Sequence, residues 1–455
     1  MDIEELKNKF FDMEIKNHLF EKRTSENLPW WDIVRYEVFH TLLYKFNVRK
    51  ITPPSKSPNI VKKTKKIIRL FYNEILYRSN ISHKDYIFYM ASRNVGENGY
   101  SYDIISDELY NQVSKKSLII ESWLEAKRQE FVYYNFSLRF YRKIKGLSPI
   151  KKKYNLNIDI EEKLYETFGE KVNIKGLIDK TLANFEIEYN YYIKLFNRID
   201  PKIIFFVMNG IQKGMVSAAN DLNIPTVELQ HGLCNEFHIA YSYPQEVCQY
   251  KLKTIPTYFL TLGSFWNRVN YPVKKKMTIG NNFYSRFLEE SDDSKKGTLI
   301  VLANIYTEAL LNLAKEILKR DKKGYYIIKL HPNQIKEKKV IERYFYNYPN
   351  VEIIGTEKNI PEILAKVENV LAIQSTVLYE ALQRKKKIII YKKYDYIIHR
   401  DLFNFKNVYL VSNHEEALQA IKKEYIEDEE IPVFFQKFDK NRFLEILKQI
   451  ETESI

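Results

Sequence analysis

Tyr325-Tyr326-Ile327-Ile328-Lys329-Leu330-His331-Pro332 and Asn369-Val370-Leu371-Ala372-Ile373-Gln374-Ser375-Thr376 are the two stretches that decide how this chain folds. Each is a short apolar run of the kind that forms a strand buried on both faces, and each ends on polar side chains. Pro332 stops backbone pairing after the first run and leaves the His331 imidazole at the sheet edge. After the second run, Ser375 is a natural helix cap, and Glu380 follows Thr376 by one turn on a similar face. Around these stretches strands and helices alternate. The pattern predicts strands over Thr298–Ala303, Val351–Ile354, Lys387–Tyr391 and Val408–Val411. Between them it predicts helices over 306–320, 334–346, 361–367, 376–384 and 414–423. Such alternation implies a parallel sheet with helices on both faces. Strand ends that open onto helix starts bind anions, because unpaired N–H groups and the helix dipole point outward there. His331, Pro332, Gln374, Ser375, Thr376 and Glu380 are therefore the candidate nucleotide-binding residues. His331 and the hydroxyls suit phosphate, and Glu380 suits the ribose hydroxyl pair.

A second α/β region precedes this one. Strands are predicted at Tyr86–Met90, Ser117–Ile120, Lys202–Met208 and Thr226–Leu229, with a helix from 211 to 222 making a βαβ unit. Further short runs lie at Tyr258–Leu262 and Met277–Ile279. The strand at 226–229 ends in Gln230-His231-Gly232, with Asn235, Glu236 and His238 in the same loop. Gly232 permits close backbone approach or a positive φ. His231 or the freer carboxylate Glu236 could serve there as general base. The loop after Tyr86–Met90 is polar and holds two glycines, which suits an acceptor; Glu97 and Asp103 are its base candidates. The Gly263–Trp266 and Gly280–Tyr284 turns are expected to border the donor.

The organisation expected is a helical N-terminal region (1–80), an N-terminal Rossmann-like domain (81–288), a polar linker (289–297), a C-terminal Rossmann-like domain (298–438) and a final helix (439–455). Two α/β domains joined by a linker describe an enzyme whose site lies in the cleft between them. With 45% hydrophobic and 29% charged residues the chain can bury real cores. It contains no long uncharged apolar run and opens acidic, so neither a membrane-spanning helix nor a secretory signal is expected. Cys234 and Cys248 form no disulfide framework, and a cytoplasmic protein with free thiols is the simplest reading. Lys+Arg outnumber Asp+Glu by 72 to 58, a net charge of +14. Basic clusters at Lys62–Tyr72 and Arg142–Lys153 mix with aromatics and could rest on the anionic inner face of the membrane. No nucleic-acid partner is expected, because charge alone explains neither strand-end motif.

Several chemistries lack their motifs. There is no Gly-x-x-x-x-Gly-Lys-Ser/Thr, no Gly-x-Gly-x-x-Gly, no His-x-x-x-His and no Gly-x-Ser-x-Gly. No Asp-x-Asp occurs, so a metal-clamped nucleotide-sugar site is not expected and no metal or tightly bound cofactor is called for.

In order along the chain, Gln230-His231-Gly232, His331-Pro332 and Ser375-Thr376 with Glu380 resemble motifs of capsule-type Kdo transferases. These are two-domain GT-B enzymes of bacterial capsule and lipopolysaccharide synthesis. The His-Pro and Ser/Thr pairs also resemble those of bacterial sialyl- and polysialyltransferases. The resemblance spans roughly residues 200–400 and rests on short motifs. It implies that His331, Ser375 and Thr376 contact the phosphate of a CMP-linked sugar. It implies also a metal-free, inverting glycosyltransferase acting on a surface polysaccharide or glycolipid acceptor, with the base on the N-terminal domain. CDP-glycerol phosphotransferases of teichoic acid synthesis use similar histidine motifs, and UDP donors also fit a Ser/Thr helix start followed by Glu. Both alternatives stay open, as does a non-catalytic nucleic-acid- or membrane-binding role.

Overall fold

The computed structural model describes residues 1–48, 82–90, 94–96, 98–121, 128–135, 138, 141–142, 152–249, 251–288, 297–303, 306–427 and 430–453. The polar linker 289–296 and the basic cluster 62–72 lie outside them. The first lobe is a sheet of seven parallel strands: β1 (Tyr86–Met90), β2 (Ser117–Glu121), β3 (Val132–Tyr134), β4 (Ile203–Phe206), β5 (Thr226–Leu229), β6 (Tyr258–Thr261) and β7 (Lys275–Thr278). Their spatial order is β3-β2-β1-β4-β5-β6-β7. Runs such as Ile203-Ile204-Phe205-Phe206 are buried at every position, as a sheet covered on both faces demands.

Six parallel strands make the second lobe: β8 (Gly297–Val301), β9 (Tyr325–Lys329), β10 (Val351–Ile354), β11 (Val367–Ala372), β12 (Lys387–Tyr391) and β13 (Val408–Val411). Their order is β10-β9-β8-β11-β12-β13. Two Rossmann-like sheets in one chain are the GT-B architecture. Because every named strand pair in both sheets is parallel, all carboxyl ends of one sheet share one edge.

The helices Ile160–Phe168 and Lys175–Ile199 and the small antiparallel pair Asn94–Val95 with Ser101–Tyr102 were not read from the sequence, and two further details depart from it. The strand β3 was not expected; it is only three residues long. The helix expected over 334–346 instead begins as a tight 3-10 turn, Pro332–Glu337, and becomes α-helical at Lys338–Tyr344.

The N-terminal helices Ile3–Lys16 and Trp31–Lys45 share one apolar core with residues 154–185 and 234–271 of the first lobe. A buried ion pair fixes their crossing: Glu14 accepts from Arg35 Nε (2.6 Å) and from Trp31 Nε1 (2.7 Å). The chain ends by crossing back. Residues 433–439 hydrogen-bond to both lobes: Gln383 Nε2 donates to Phe435 O (2.7 Å), Trp266 Nε1 to Phe434 O (2.7 Å) and Gln436 N to Leu262 O (2.9 Å). The final helix, Lys440–Glu453, then packs Phe443, Ile446, Leu447 and Ile450 into the core of the first lobe. Each such side chain contributes about 1.5–3 kcal/mol when buried, so the helix is a structural part of the lobe opposite to the one it follows in sequence.

Candidate active site

Four loops meet at the carboxyl edges of the two sheets. They are residues 101–108, 230–238, 281–286 and 375–380. Tyr284 is where they join. Its hydroxyl donates to His231 O (3.2 Å), and burial pushes its pKa to about 12, with Glu380 and Asp103 adding to the effect. On either side, Asn281 Nδ2 donates to Ile104 O (2.8 Å) and Asn282 N to Glu108 (3.0 Å).

On the first lobe, the loop after β5 is built by Gln230. Its amide donates to Gly232 O (2.8 Å) and accepts from Leu262 N (2.8 Å), clamping the turn to the end of β6. His231 sits behind this clamp, half-buried, with Nδ1 3.2 Å from the Tyr241 hydroxyl. That hydroxyl gives its hydrogen to Glu228 Oε1 (2.8 Å), so its oxygen accepts from Nδ1–H of His231. The lone pair of the imidazole then lies on Nε2. Glu228 is buried; it also accepts from Asn209 N (2.9 Å) and the Tyr271 hydroxyl (2.6 Å). Burial raises its pKa against these bonds. A buried carboxyl, a tyrosine and an imidazole in line set the tautomer and angle of His231. Gly232 does not take a positive φ, contrary to one expectation, and a side chain there would meet only open space.

Glu236 is not the freer carboxylate expected. It pairs with Lys7 Nζ (2.8 Å) and Arg400 Nη2 (2.5 Å). Although partial burial opposes them, these cations hold its pKa down, which suits an anchor and not a proton acceptor. Asp103 is likewise committed: its buried Oδ1 accepts from Ile105 N (2.9 Å) and Ser106 N (2.8 Å), shaping the turn into the Asp107–Val113 helix. Glu97 lies outside the described residues.

On the second lobe, His331 ends β9 and Ser375 follows β11. They stand at the same edge, but β8 lies between, so they are not on adjacent strands. At a strand spacing of about 4.8 Å, roughly 10 Å separates the two strand ends, a span for a phosphate and part of a nucleoside. His331 caps the turn that Pro332 opens: Nδ1 accepts from Asn333 N (3.2 Å), while its own N–H donates to Gln334 Oε1 (2.9 Å). With Nδ1 accepting, the ring proton is on Nε2, where it can be donated to an anion. Partial burial lowers the His331 pKa, so the ring is a neutral donor at pH 7.

The hydroxyl-capped helix is more committed than the sequence suggests. Ser375 N donates to His399 Nε2 (3.1 Å), and Ser375 Oγ accepts from Val377 N (3.2 Å). The helix itself runs Val377–Gln383 after Thr376. The Thr376 amide and hydroxyl are the groups at this start that remain to meet a phosphate. Gln374 is half-buried just ahead of them. Glu380 is 8% exposed, and burial lifts its pKa to about 8, which Arg286 only partly offsets. Arg286 lies flat on Phe283, its guanidinium carbon 3.6 Å from the ring centroid.

Two residues at this edge were not read from the sequence. Buried His399, its pKa pressed down to about 3 by desolvation, fixes the Ser375 amide. Arg286 supplies the cation facing Glu380. Only the nearby aromatic turn hinted at the second. Segment 398–401 also bolts the lobes together: Asn235 Nδ2 donates to Ile398 O (2.5 Å), Arg400 holds Glu236 and Glu4, and Asp401 pairs with Arg268. In the second basic cluster, Arg142 pairs with Glu188 (2.9 Å) and Lys152 with Glu26 and Glu186 (both 2.7 Å). Among the described residues no helix is long and apolar enough to cross a membrane, and no group of three acidic, His or Cys side chains could hold a metal.

No family model and no curated protein sequence matches the chain. Among solved structures it is similar to the UDP-GlcNAc 2-epimerase of Methanocaldococcus jannaschii in complex with UDP-GlcNAc and UDP. The identity there is 14%, over 81% of this chain and 99% of that one, with a TM-score of 0.45. The Neisseria meningitidis UDP-GlcNAc 2-epimerase bound to UDP-GlcNAc is similar at 14% identity, with the same coverages and a TM-score of 0.46. Acinetobacter baumannii MurG is similar at 11% identity, over 81% of this chain and 99% of that chain, with a TM-score of 0.43.

Proposed function

We propose that the protein transfers a sugar from a nucleotide-activated donor, CMP-linked by its motif resemblance, to a saccharide or glycolipid acceptor. The observation that carries this reading is the meeting of both lobes around Tyr284. The loop of His231 comes from one side, its backbone carbonyl accepting from the Tyr284 hydroxyl, and Glu380 and Arg286, which act on each other electrostatically, from the other. In the proposed reaction His231 Nε2 takes the proton of an acceptor hydroxyl as its oxygen attacks the anomeric carbon. The bond from that carbon to the phosphate oxygen breaks, and the electron pair leaves with the nucleotide. His331 Nε2–H and the Thr376 amide and hydroxyl stabilise the charge on the departing phosphate. Attack opposite the leaving group inverts the anomeric centre. Glu380 receives the ribose hydroxyls, and no step calls on a metal.

Thermal shift against CMP, UDP and GDP tests the donor half. CMP is expected to raise the melting temperature most, and His331→Ala to remove that shift while costing the apo-protein only the lost cap, about 1 kcal/mol. If no nucleotide moves the transition, the reading fails.

A further inference from the structure

By sequence, residues 394–402 belong to the second lobe, since they follow β12 and lead into β13. Their side chains are held from outside it. We infer that Arg400 is a positioning residue for the donor site: it fixes His399 from the first lobe's side, and His399 in turn sets the turn Ser375-Thr376. The inference rests on the transferase reading above for what that turn binds, and adds to it a residue that acts through another.

The segment has little stiffness of its own. It is wound in 3-10 turns, whose hydrogen bonds are poorly aligned, and it leaves helical backbone at His399 (φ −99°, ψ 19°). Three contacts make up for this, at the residues flanking His399. Asn235 Nδ2 donates to Ile398 O (2.5 Å). Arg400 donates from Nε (3.2 Å) and Nη2 (2.5 Å) to Glu236 Oε1, and from Nη1 to Glu4 of the helix Ile3–Lys16. Asp401 pairs with Arg268. Every one of these partners lies in the first lobe or the N-terminal helix, and Arg400 reaches both. Its guanidinium carbon is also 5.1 Å from the Phe237 ring centroid. Lys7 Nζ lies 5.0 Å from the same ring and 2.8 Å from Glu236 Oε2, so the carboxylate is itself held in place.

His399 carries this placement to the donor side. Its ring is buried, and Nε2 accepts from Ser375 N (3.1 Å). Nδ1 has no hydrogen-bond partner among the described residues, and the Tyr379 ring packs beside it with centroids 5.6 Å apart. The directional contact of the ring is therefore the one to Ser375, and its position follows from how the flanking backbone is held. The Ser375 amide fixes the peptide that leads into Thr376, whose amide and hydroxyl face the phosphate in the reading above. An amide that lost this acceptor would have to find another, so the turn would move. A misplacement of about 1 Å is enough to weaken a positioned contact severely.

Hydrogen exchange read by mass spectrometry, on the full chain without nucleotide, tests the link. In Arg400→Ala, peptides covering residues 373–380 are expected to exchange about tenfold faster, the protection that one hydrogen bond gives. Peptides from β8 and β12 of the same lobe should exchange as in the parent. Asn235→Ala removes a different contact of the segment and should act on 373–380 in the same way. In calorimetric titrations CMP should bind Arg400→Ala several-fold more weakly than the parent, although His331, Thr376 and Glu380 are all in place. The inference is overturned if neither variant changes exchange at 373–380, or if exchange rises equally across the second lobe. It is overturned also if the parent binds CMP and Arg400→Ala binds it equally well. Should CMP bind neither protein, the donor reading falls, and exchange at 373–380 alone decides whether Arg400 positions the turn.

Discussion

Replacing Glu380 by glutamine probes the donor site through its buried proton. With its pKa at about 8 against an ordinary 4.5, the folded chain keeps a proton that the unfolded chain has released. The sign follows directly. Stability is level below about pH 4.5, falls as the pH rises from there to about 8, and is level again above that. At about 1.4 kcal/mol per pH unit, holding this carboxyl costs the fold about 3 kcal/mol at pH 7. Glutamine keeps the shape without the titration. The variant is therefore expected to out-melt the parent by roughly 6–12 °C near neutral pH, taking 2–4 °C per kcal/mol for a lobe of this size. Near pH 5 the gap should close. Calorimetric scans of both proteins across that range measure it directly. The same variant should bind nucleotide several-fold more weakly, since the carboxyl oxygen that can accept from a ribose hydroxyl is replaced by an amide NH2 that cannot. A melting gap independent of pH would refute the buried-proton argument. Unchanged nucleotide affinity would refute the ribose role.

Other outcomes follow from the same geometry. Tyr241→Phe removes the oxygen that receives Nδ1–H of His231; turnover should drop about 10- to 100-fold, and the acid limb of the kcat/KM profile should move to lower pH. Glu236→Gln should leave transfer near the parental rate, because Glu236 is an anchor. Its pKa is held below 4.5, so it stabilises the fold above that pH and loses the effect as the pH falls. The variant should therefore cost about 1 kcal/mol at pH 7, discounted for solvent screening, and nothing in strong acid, as thermal melts will show. Gly280→Ala puts a side chain at φ +75° and into the Lys437 carbonyl oxygen. It should cost about 2 kcal/mol or more and lower the melting temperature by loosening the returning strap.

The parallel sheets were legible because runs such as Ile388-Ile389-Ile390 are apolar on both faces and bounded by helical periods. The short β3 was not, since three residues after Gln129-Glu130 carry too little pattern to separate strand from loop. Spacing on the final helix showed an apolar face. It could not show that Phe443 and Ile446 would pack on the opposite lobe. The site divides along the same line. That His331 ends a strand and that Glu380 lies on the helix after Thr376 were readable from the apolar runs and helix spacing. Asp103 was misread because a carboxylate that bonds amides two and three residues on looks, in sequence, like a polar loop residue available for catalysis. Glu236 was misread because its partners are 229 and 164 residues away. His399, 24 residues from the amide it holds, offered no local signal of its task.

The measurement that bears most directly on the central claim is NMR of the products formed from a CMP-linked sugar and a glycoside acceptor. Free CMP together with a new glycosidic bond of inverted anomeric configuration is the result expected. Retained configuration, phosphate carried into the product, or an untouched donor would contradict it.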